Sequence, residues 1–275
     1  MTQRIQTQDR SLFMQAMMFL ELLYFSIVRS VRKESGNRGL GILNAVLRTL
    51  AMVIVFYLVF TLIRIKPGGI RGDPILFLVG GVLFFLLHNA AVSRTIQAGA
   101  QSSPMMNHAP MTVVLNILSE TVAQLYLFIL TGLIILSGVF VIRGELDIEQ
   151  PAGIVLPLLL AWASGVVMGL VFLVLKPFAP RLMQVISLFY QRANMITSGK
   201  FFVANMLPLS VLPYFAWNPL FHTIDQMRGA MFINYNPQYT SLMYPVYFVA
   251  IGLVIGMMFE FWLRKTVSRS TGSQH

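Results

Sequence analysis

The sequence contains no cysteine among its 275 residues, and only 11% of them are Asp, Glu, Lys or Arg. The absence of cysteine excludes disulfides, Cys-ligated zinc, iron–sulfur clusters and thiol nucleophiles. The four histidines are scattered and have no metal-ligand spacing. The sequence also has no GxxxxGK[ST] phosphate loop, no GxSxG and no HExxH motif. These absences disfavour an enzyme, and any energy from ATP must come from a partner.

Apolar residues make up 56% of the sequence, more than a water-solvated domain requires. They form runs that approach the roughly 20 residues a helix needs to cross a bilayer, and the alternation typical of barrel strands is absent. The net charge of +10 comes mostly from basic residues at the ends of these runs, which is typical of topology signals and lipid-headgroup contacts. The sequence therefore predicts an all-α membrane protein.

Six segments are predicted to span the membrane within a single domain over residues 1–275. They are 43–63, 75–93, 113–142, 153–175, 180–198 and 240–263. Lysine and arginine flank these spans more often on the side that carries both chain ends, including the tail 264–275. Both termini are therefore predicted to be cytoplasmic.

Residues 9–34 precede the first span and contain another apolar stretch. Most of their polar and charged side chains, among them Gln15, Glu21 and Arg32, fall within one sector of a helix. This distribution favours an amphipathic helix that lies in the membrane interface. A true first span over 11–28 remains the alternative.

Residues 200–235 are predicted to enter the membrane and return to the same side. Glycine at the Ser198-Gly199 break interrupts the preceding helix, and Asn218 with Pro219 has the form of an N-cap followed by proline at the first helical position. A complete crossing here would export the basic C-terminal tail. A re-entrant helical hairpin before the last span is therefore the interpretation that fits the charge distribution.

Three chemically active residues follow that N-cap at helical spacing. His222, Asp225 and Arg228 stand at i, i+3 and i+6, so neighbouring members can touch. A carboxylate beside Arg228 would orient its guanidinium, whose free face could meet phosphate or carboxylate. An ordinary ion pair on a solvated external helix is the alternative.

Arg192 lies well inside the predicted fifth span, where an arginine normally faces a cavity or a partner. The alternative is that this helix starts later and the side chain reaches the cytoplasmic surface. Aromatic residues near it could line a sugar path by stacking on pyranose rings, although packing and interfacial belts are the more common uses of such residues. These candidates are Phe189, Tyr190, Phe201, Phe202, Tyr214 and Trp217.

The interval 96–112 is too polar for lipid and contains Pro104 and Pro110. Such a connection between two spans can transmit motion only if a soluble protein holds it. A loop that is simply exposed to the cytosol is the alternative.

The segment NPLFHTIDQMRGAMF at 218–232 resembles the C-terminal signature of ABC-2-type permeases that export lipid-linked polysaccharide. LGIL at 40–43 occupies the place of the N-terminal motif of that family, although Asn44 stands where the family usually has tryptophan. SPMMNHAPMTVVLNILSE at 103–120 is similar to its cytoplasmic loop and third helix, and Ser198-Gly199 is similar to its helix break.

The resemblance implies a permease subunit that forms a homodimer with two copies of an ABC ATP-binding subunit in the bacterial inner membrane. ATP and Mg would be bound by that partner, and the chain itself would hold no cofactor. The implied substrate is a lipid-linked polysaccharide, capsule first and O-antigen next, passed on to periplasmic or outer-membrane export proteins. The residues implied to couple to the ATPase are Gln101, Ser102, Ser103, Pro104, Asn107 and His108. A drug or small-molecule exporter on the same scaffold, or a membrane enzyme acting on lipid-linked sugars through His222 and Asp225, remain alternatives.

Overall fold

The computed structural model describes residues 12–35, 40–63, 70, 72–105, 113–145 and 147–272. Within these ranges every regular element is helical, which confirms the predicted all-α class. The long helices are α1 (Leu12–Ser35), α2 (Leu40–Ile63), α3 (Pro74–Met105), α4 (Val113–Arg143), α5 (Val155–Leu175), α6 (Pro180–Thr197) and α9 (Met243–Gly272). Two shorter α-helices lie between the last two of these, α7 (Pro213–Ala216) and α8 (Pro219–Met231), and 3-10 turns cover Pro151–Ile154 and Ala204–Met206.

Four segments of the described chain are long and apolar enough to cross a membrane. They are Gly41–Val59, Pro74–Gly99, Val113–Arg143 and Pro151–Leu175. They overlap the first four predicted spans, so in length and composition these four helices are suited to cross a lipid bilayer. The fifth predicted span coincides with α6, which has only 18 residues and is more polar, and the sixth coincides with α9, whose apolar part is Met243–Met258.

Helix α3 is the centre of the bundle, and most of its apolar part is buried. Helix α5 approaches it closely through Gly165 and Gly169, one turn apart. A Cβ atom on Gly165 would lie 2.5 Å from the carbonyl oxygen of His88, and one on Gly169 would lie 2.5 Å from the Cβ of Thr95. Such small-residue pairs are a principal means of helix packing in lipid, because they let two backbones come into van der Waals contact.

Helix α1 packs against α4, with Ser30 in contact with Glu120, whereas the described side chains in its first half are mostly exposed. It is not among the segments apolar enough to span. Helix α3 continues to Met105, beyond the predicted end of the second span, so residues 96–105 of the predicted coupling region are helical. Asn107 and His108 lie outside the described residues.

Helix α8 lies inside the bundle and buries ten of its 13 residues against α3, α5 and α9. Its first end is fixed by Asn218, which accepts a hydrogen bond from the backbone N–H of Leu220 at 2.9 Å, as the predicted N-cap requires. The C-terminal end of α8 contacts the loop between α4 and α5, where the N–H of Gln150 donates to the carbonyl oxygen of Ala230 at 2.9 Å. Helix α8 therefore ends where α5 begins.

Candidate functional site

The guanidinium of Arg228 is buried in a ring of backbone carbonyls. Its Nη1 donates to the carbonyl oxygen of Gly199 at 2.7 Å and to that of Phe202, and its Nη2 donates to that of Lys200 at 2.7 Å. The ring of Phe77 in α3 covers one face, 3.8 Å from Cζ. The side chain is 1% exposed. Contact between this arginine and a substrate would therefore require the 199–202 turn to move.

Asp225 is one turn before Arg228, but its carboxylate is used by three other donors. These are the backbone N–H of Ala204 at 3.0 Å, the hydroxyl of Tyr235 at 2.6 Å and the hydroxyl of Thr240 at 2.8 Å. The three donors lie on both sides of α8 in the sequence. Asp225 thus joins the chain entering this helix to the chain leaving it. Burial beside this carboxylate raises the pKa of the Tyr235 hydroxyl.

His222 also connects two segments. Its Nε2 donates to the carbonyl oxygen of Ala216 at 2.8 Å, and its Nδ1 accepts from the N–H of Ser241 at 3.1 Å, an arrangement that fits a neutral ring. Tyr244 stacks on the imidazole with ring centroids 4.6 Å apart. Burial lowers the pKa of His222, which also favours the neutral form. With all three predicted residues engaged in this way, the motif holds the segment together and offers no free acid, base or nucleophile.

The turn that Arg228 holds carries a buried lysine. The Nζ of Lys200 lies 3.3 Å from the ring centroid of Phe85 in α3 and within 5.3 Å of those of Phe56 and Phe201. Among the described residues it has no hydrogen-bond partner, and its side chain is fully buried. Desolvation lowers its pKa to about 7. Sequence reasoning missed this residue, because nothing local indicates which rings an ammonium will meet.

Helix α6 has two chemically opposite faces. The outer face carries Arg181, Gln184, Phe189 and Arg192, all exposed. The inner face has only three buried residues, Ser187, Tyr190 and Asn194, and each of them is polar. Arg192 follows Pro180 by about 18 Å of helix, which places it far along α6.

The inner face of α6 is joined to α3 and α8 by a chain of hydrogen bonds. Asn218 donates to Asn194 at 2.9 Å and to Thr197 at 2.9 Å, and Asn194 donates to Asn89 at 3.2 Å. One turn earlier on α6, His88 and Tyr190 are joined at 2.9 Å between Nε2 and the hydroxyl. Only Asn218 and Tyr190 were candidates from the sequence. For the other members of this chain, the available sequence signal was the pair of polar residues His88 and Asn89 within an apolar span.

The remaining predicted aromatics divide by exposure. Phe189, Tyr214 and Trp217 are exposed, whereas Phe201 and Phe202 are half-buried in the turn beside Lys200. They do not form one continuous lining. Ser198 and Pro219 are buried, and Gly199 has φ +71°, with the ring of Phe221 only 2.6 Å from where a Cβ would stand. Glycine is required there by both the backbone and the space.

At the opposite end of the bundle, Glu120 of α4 lies between two other helices. It accepts a hydrogen bond from Ser30 of α1 at 3.3 Å and lies 3.6 Å from Lys33 and 3.9 Å from Arg94 of α3. Among the described residues, no group of three or more His, Cys, Asp or Glu could hold a metal ion.

The chain matches no protein-family model, and no curated protein matches it. The resemblance to ABC-2-type permeases therefore rests on the motifs themselves.

Proposed function

We propose that the chain is the permease subunit of an ATP-driven ABC exporter that moves a lipid-linked polysaccharide across the bacterial inner membrane. The observation that carries this proposal is the outer face of α6, where Arg192 is exposed about 18 Å from the start of the helix. Its neighbour Gln191 bonds to Asn89 and Ser93, within the segment Pro74–Gly99 of α3 that is long enough to span. An arginine directed outwards beside a spanning segment has a cost in hydrocarbon. We infer that a water-filled path or a second copy of the chain covers it.

A path of this kind fits an anionic, lipid-anchored substrate. Arg181 lies on the same face as Arg192, three turns earlier, so the face presents two cations with Gln184 between them. Phe189 beside them is 73% exposed and could stack on a sugar ring. Phosphate on a lipid carrier is an anion that guanidinium groups recognise well.

In this proposal α6 and α9 are the fifth and sixth spans, and both termini are cytoplasmic. Residues 200–235, after the Ser198-Gly199 break, are the re-entrant hairpin. Its position supports this: Asn218 contacts Asn194, which in turn contacts Asn89, roughly 22 Å along α3 from Pro74. Helix α8 then returns to the end of the bundle where α3 and α5 begin. Helix α1 lies in the interface, and two separate ATPase subunits hold the region 96–112.

Export should fail when the charge of Arg192 is removed while the protein stays folded. The chain is produced with a cognate ABC ATPase in a strain that lacks the native copy of the chain, and polysaccharide at the cell surface is measured. Arg192→Gln should reduce surface polysaccharide at least about tenfold, a loss comparable to that of one charge-assisted contact. Arg192→Lys should keep part of the activity, since the charge remains.

The control is Tyr126→Phe, an exposed residue of α4 outside this face, which should keep normal export. Normal surface polysaccharide in the strain lacking the chain would overturn the function. Normal export by Arg192→Gln would remove α6 from the path.

A further inference from the structure

The two ends of α6 are held very differently. At its C-terminal end, Asn218 donates to both Asn194 and Thr197, and Arg228 holds the following turn through three carbonyl groups. Gly199 rests on the ring of Phe221, whose helix is itself packed in the core. These contacts are numerous and buried, so this end is fixed to α8.

The N-terminal end of α6 has few contacts within the described chain. Its first buried residue is Ser187, whose hydroxyl donates to the carbonyl oxygen of Gln184 in the same helix. Arg181, Leu182 and the residues up to Ile186 are exposed or half-buried. Pro177 and Pro180 separate this end from α5, so the two helices do not move as one rod.

Between these ends, α6 is attached to α3 mainly by exchangeable side-chain bonds. Tyr190 bonds to His88, and Gln191 bonds to Ser93 at 3.0 Å. Apolar support comes from the ring of Tyr190, which packs with Val92 and lies near Phe172 with ring centroids 5.6 Å apart. Near the C-terminal end, Met195 also packs against the main core. Hydrogen bonds between helices in lipid are weak individually, and a helix attached by a few of them can exchange partners.

We propose that α6 is a lever: it pivots at its C-terminal end, where Asn194 and Asn218 are positioning residues, and its N-terminal end swings away from α3. The swing breaks the Tyr190–His88 bond first and carries Arg181, whereas Arg192, two residues from Asn194, moves little. Resting on the proposed function, this motion would change the width of the substrate path. The lever itself is a property of the chain alone.

The absence of native cysteine makes the test clean, since introduced cysteines are the only labelling sites. The full chain in lipid nanodiscs is spin-labelled at Leu182→Cys or Ile196→Cys, each paired with Leu133→Cys on α4, and diluted with unlabelled chain. All three positions are exposed. The distance distribution of the Leu182 pair should be at least about twofold wider than that of the Ile196 pair, as a pivot near Asn194 requires. Equal widths, or a wider Ile196 pair, would overturn the lever.

A single hydroxyl tests the attachment. Tyr190→Phe keeps the ring and removes the bond to His88, so the Leu182 distribution should widen further while that of Ile196 stays unchanged. Tyr126→Phe, an exposed tyrosine on α4, is the control and should change neither. If Tyr190→Phe changes neither pair, the bond is not part of the attachment and the proposed order of breaking is wrong. Neither the ATPase nor the substrate is present in this experiment, so it tests the lever independently of the proposed function. Export could fail while the lever is found, and the lever could be refuted while export is normal.

Discussion

The Nη1 of Arg228 lies 2.7 Å from the carbonyl oxygen of Gly199, and the residue that accepts this bond has a left-handed backbone. A helix interior and a glycine turn 29 residues earlier are thus joined by one buried cation. The carbonyls of that turn have left the regular ladder of α6, and a guanidinium can satisfy several of them at once. The strongest motif in the sequence therefore has a structural reason that is independent of any substrate.

Replacing Arg228 should destabilise the protein rather than impair only transport. Arg228→Met leaves the carbonyls of Gly199, Lys200 and Phe202 buried without their donor, at a cost of about 3 kcal/mol. Arg228→Lys should not restore stability, because an ammonium lacks the planar fork. Thermal unfolding in detergent measures the loss. Arg192→Met on the exposed face of α6 is the control, and equal midpoints for these two variants would contradict the prediction.

Much of the fold follows from hydropathy, because the length of an apolar run and the glycines or prolines after it fix where a spanning helix lies. Helices α2 to α5 match the predicted spans for this reason. The Asn218 N-cap is also a local signal and is confirmed. The pairing of Asn89 with Asn194 is not predictable in this way, since 105 residues separate them and hydropathy does not say which buried polar groups meet. The use of His222, Asp225 and Arg228 as connectors was missed because helical spacing shows which residues can touch and says nothing about distant carbonyls.

Lys200 should make stability depend on pH. Its pKa in the folded protein is about 7, below the ordinary lysine value of 10.5. Between these two values the unfolded chain binds a proton that the folded chain has released, so folding stability rises with pH across this window. Below about pH 7 the penalty for the buried ammonium is complete. Lys200→Met removes the titration and keeps a long apolar side chain beside Phe85.

The measurement is the unfolding midpoint of wild type and Lys200→Met from pH 6 to about pH 11, a range that spans the ordinary and shifted lysine values. The advantage of the methionine variant should be largest at the acid end and should shrink as the pH rises. A difference that stays constant across the range would show that Lys200 does not change its charge there.

Glu120 should hold the second half of α1 against α4. The bond from Ser30 and the nearby charges of Lys33 and Arg94 are partly exposed, so each contributes about 0.5 kcal/mol and is screened by salt. A spin label at Phe25→Cys on α1 should become more mobile when salt is raised. In Glu120→Gln the mobility should be high from the start and insensitive to salt. Glu145→Gln, just beyond the other end of α4, is the control, and a salt response unchanged in Glu120→Gln would refute the role.

Gly165 should tolerate no side chain, because its packing against α3 leaves no space. A Cβ would lie 2.5 Å from the backbone oxygen of His88, and a backbone atom cannot move aside without shifting the helix. Gly165→Ala should therefore cost about 2 kcal/mol, as overpacking in a close-packed interior does. Gly138 in α4 has nothing within 4 Å of its Cβ position, so Gly138→Ala should be neutral or slightly stabilising through better helix propensity. The unfolding midpoints of the two alanine variants test this prediction. The same midpoint for both would mean that α3 and α5 are not in close backbone contact. The hydrogen bonds between α6 and α3 would then not rest on a fixed pair of helices.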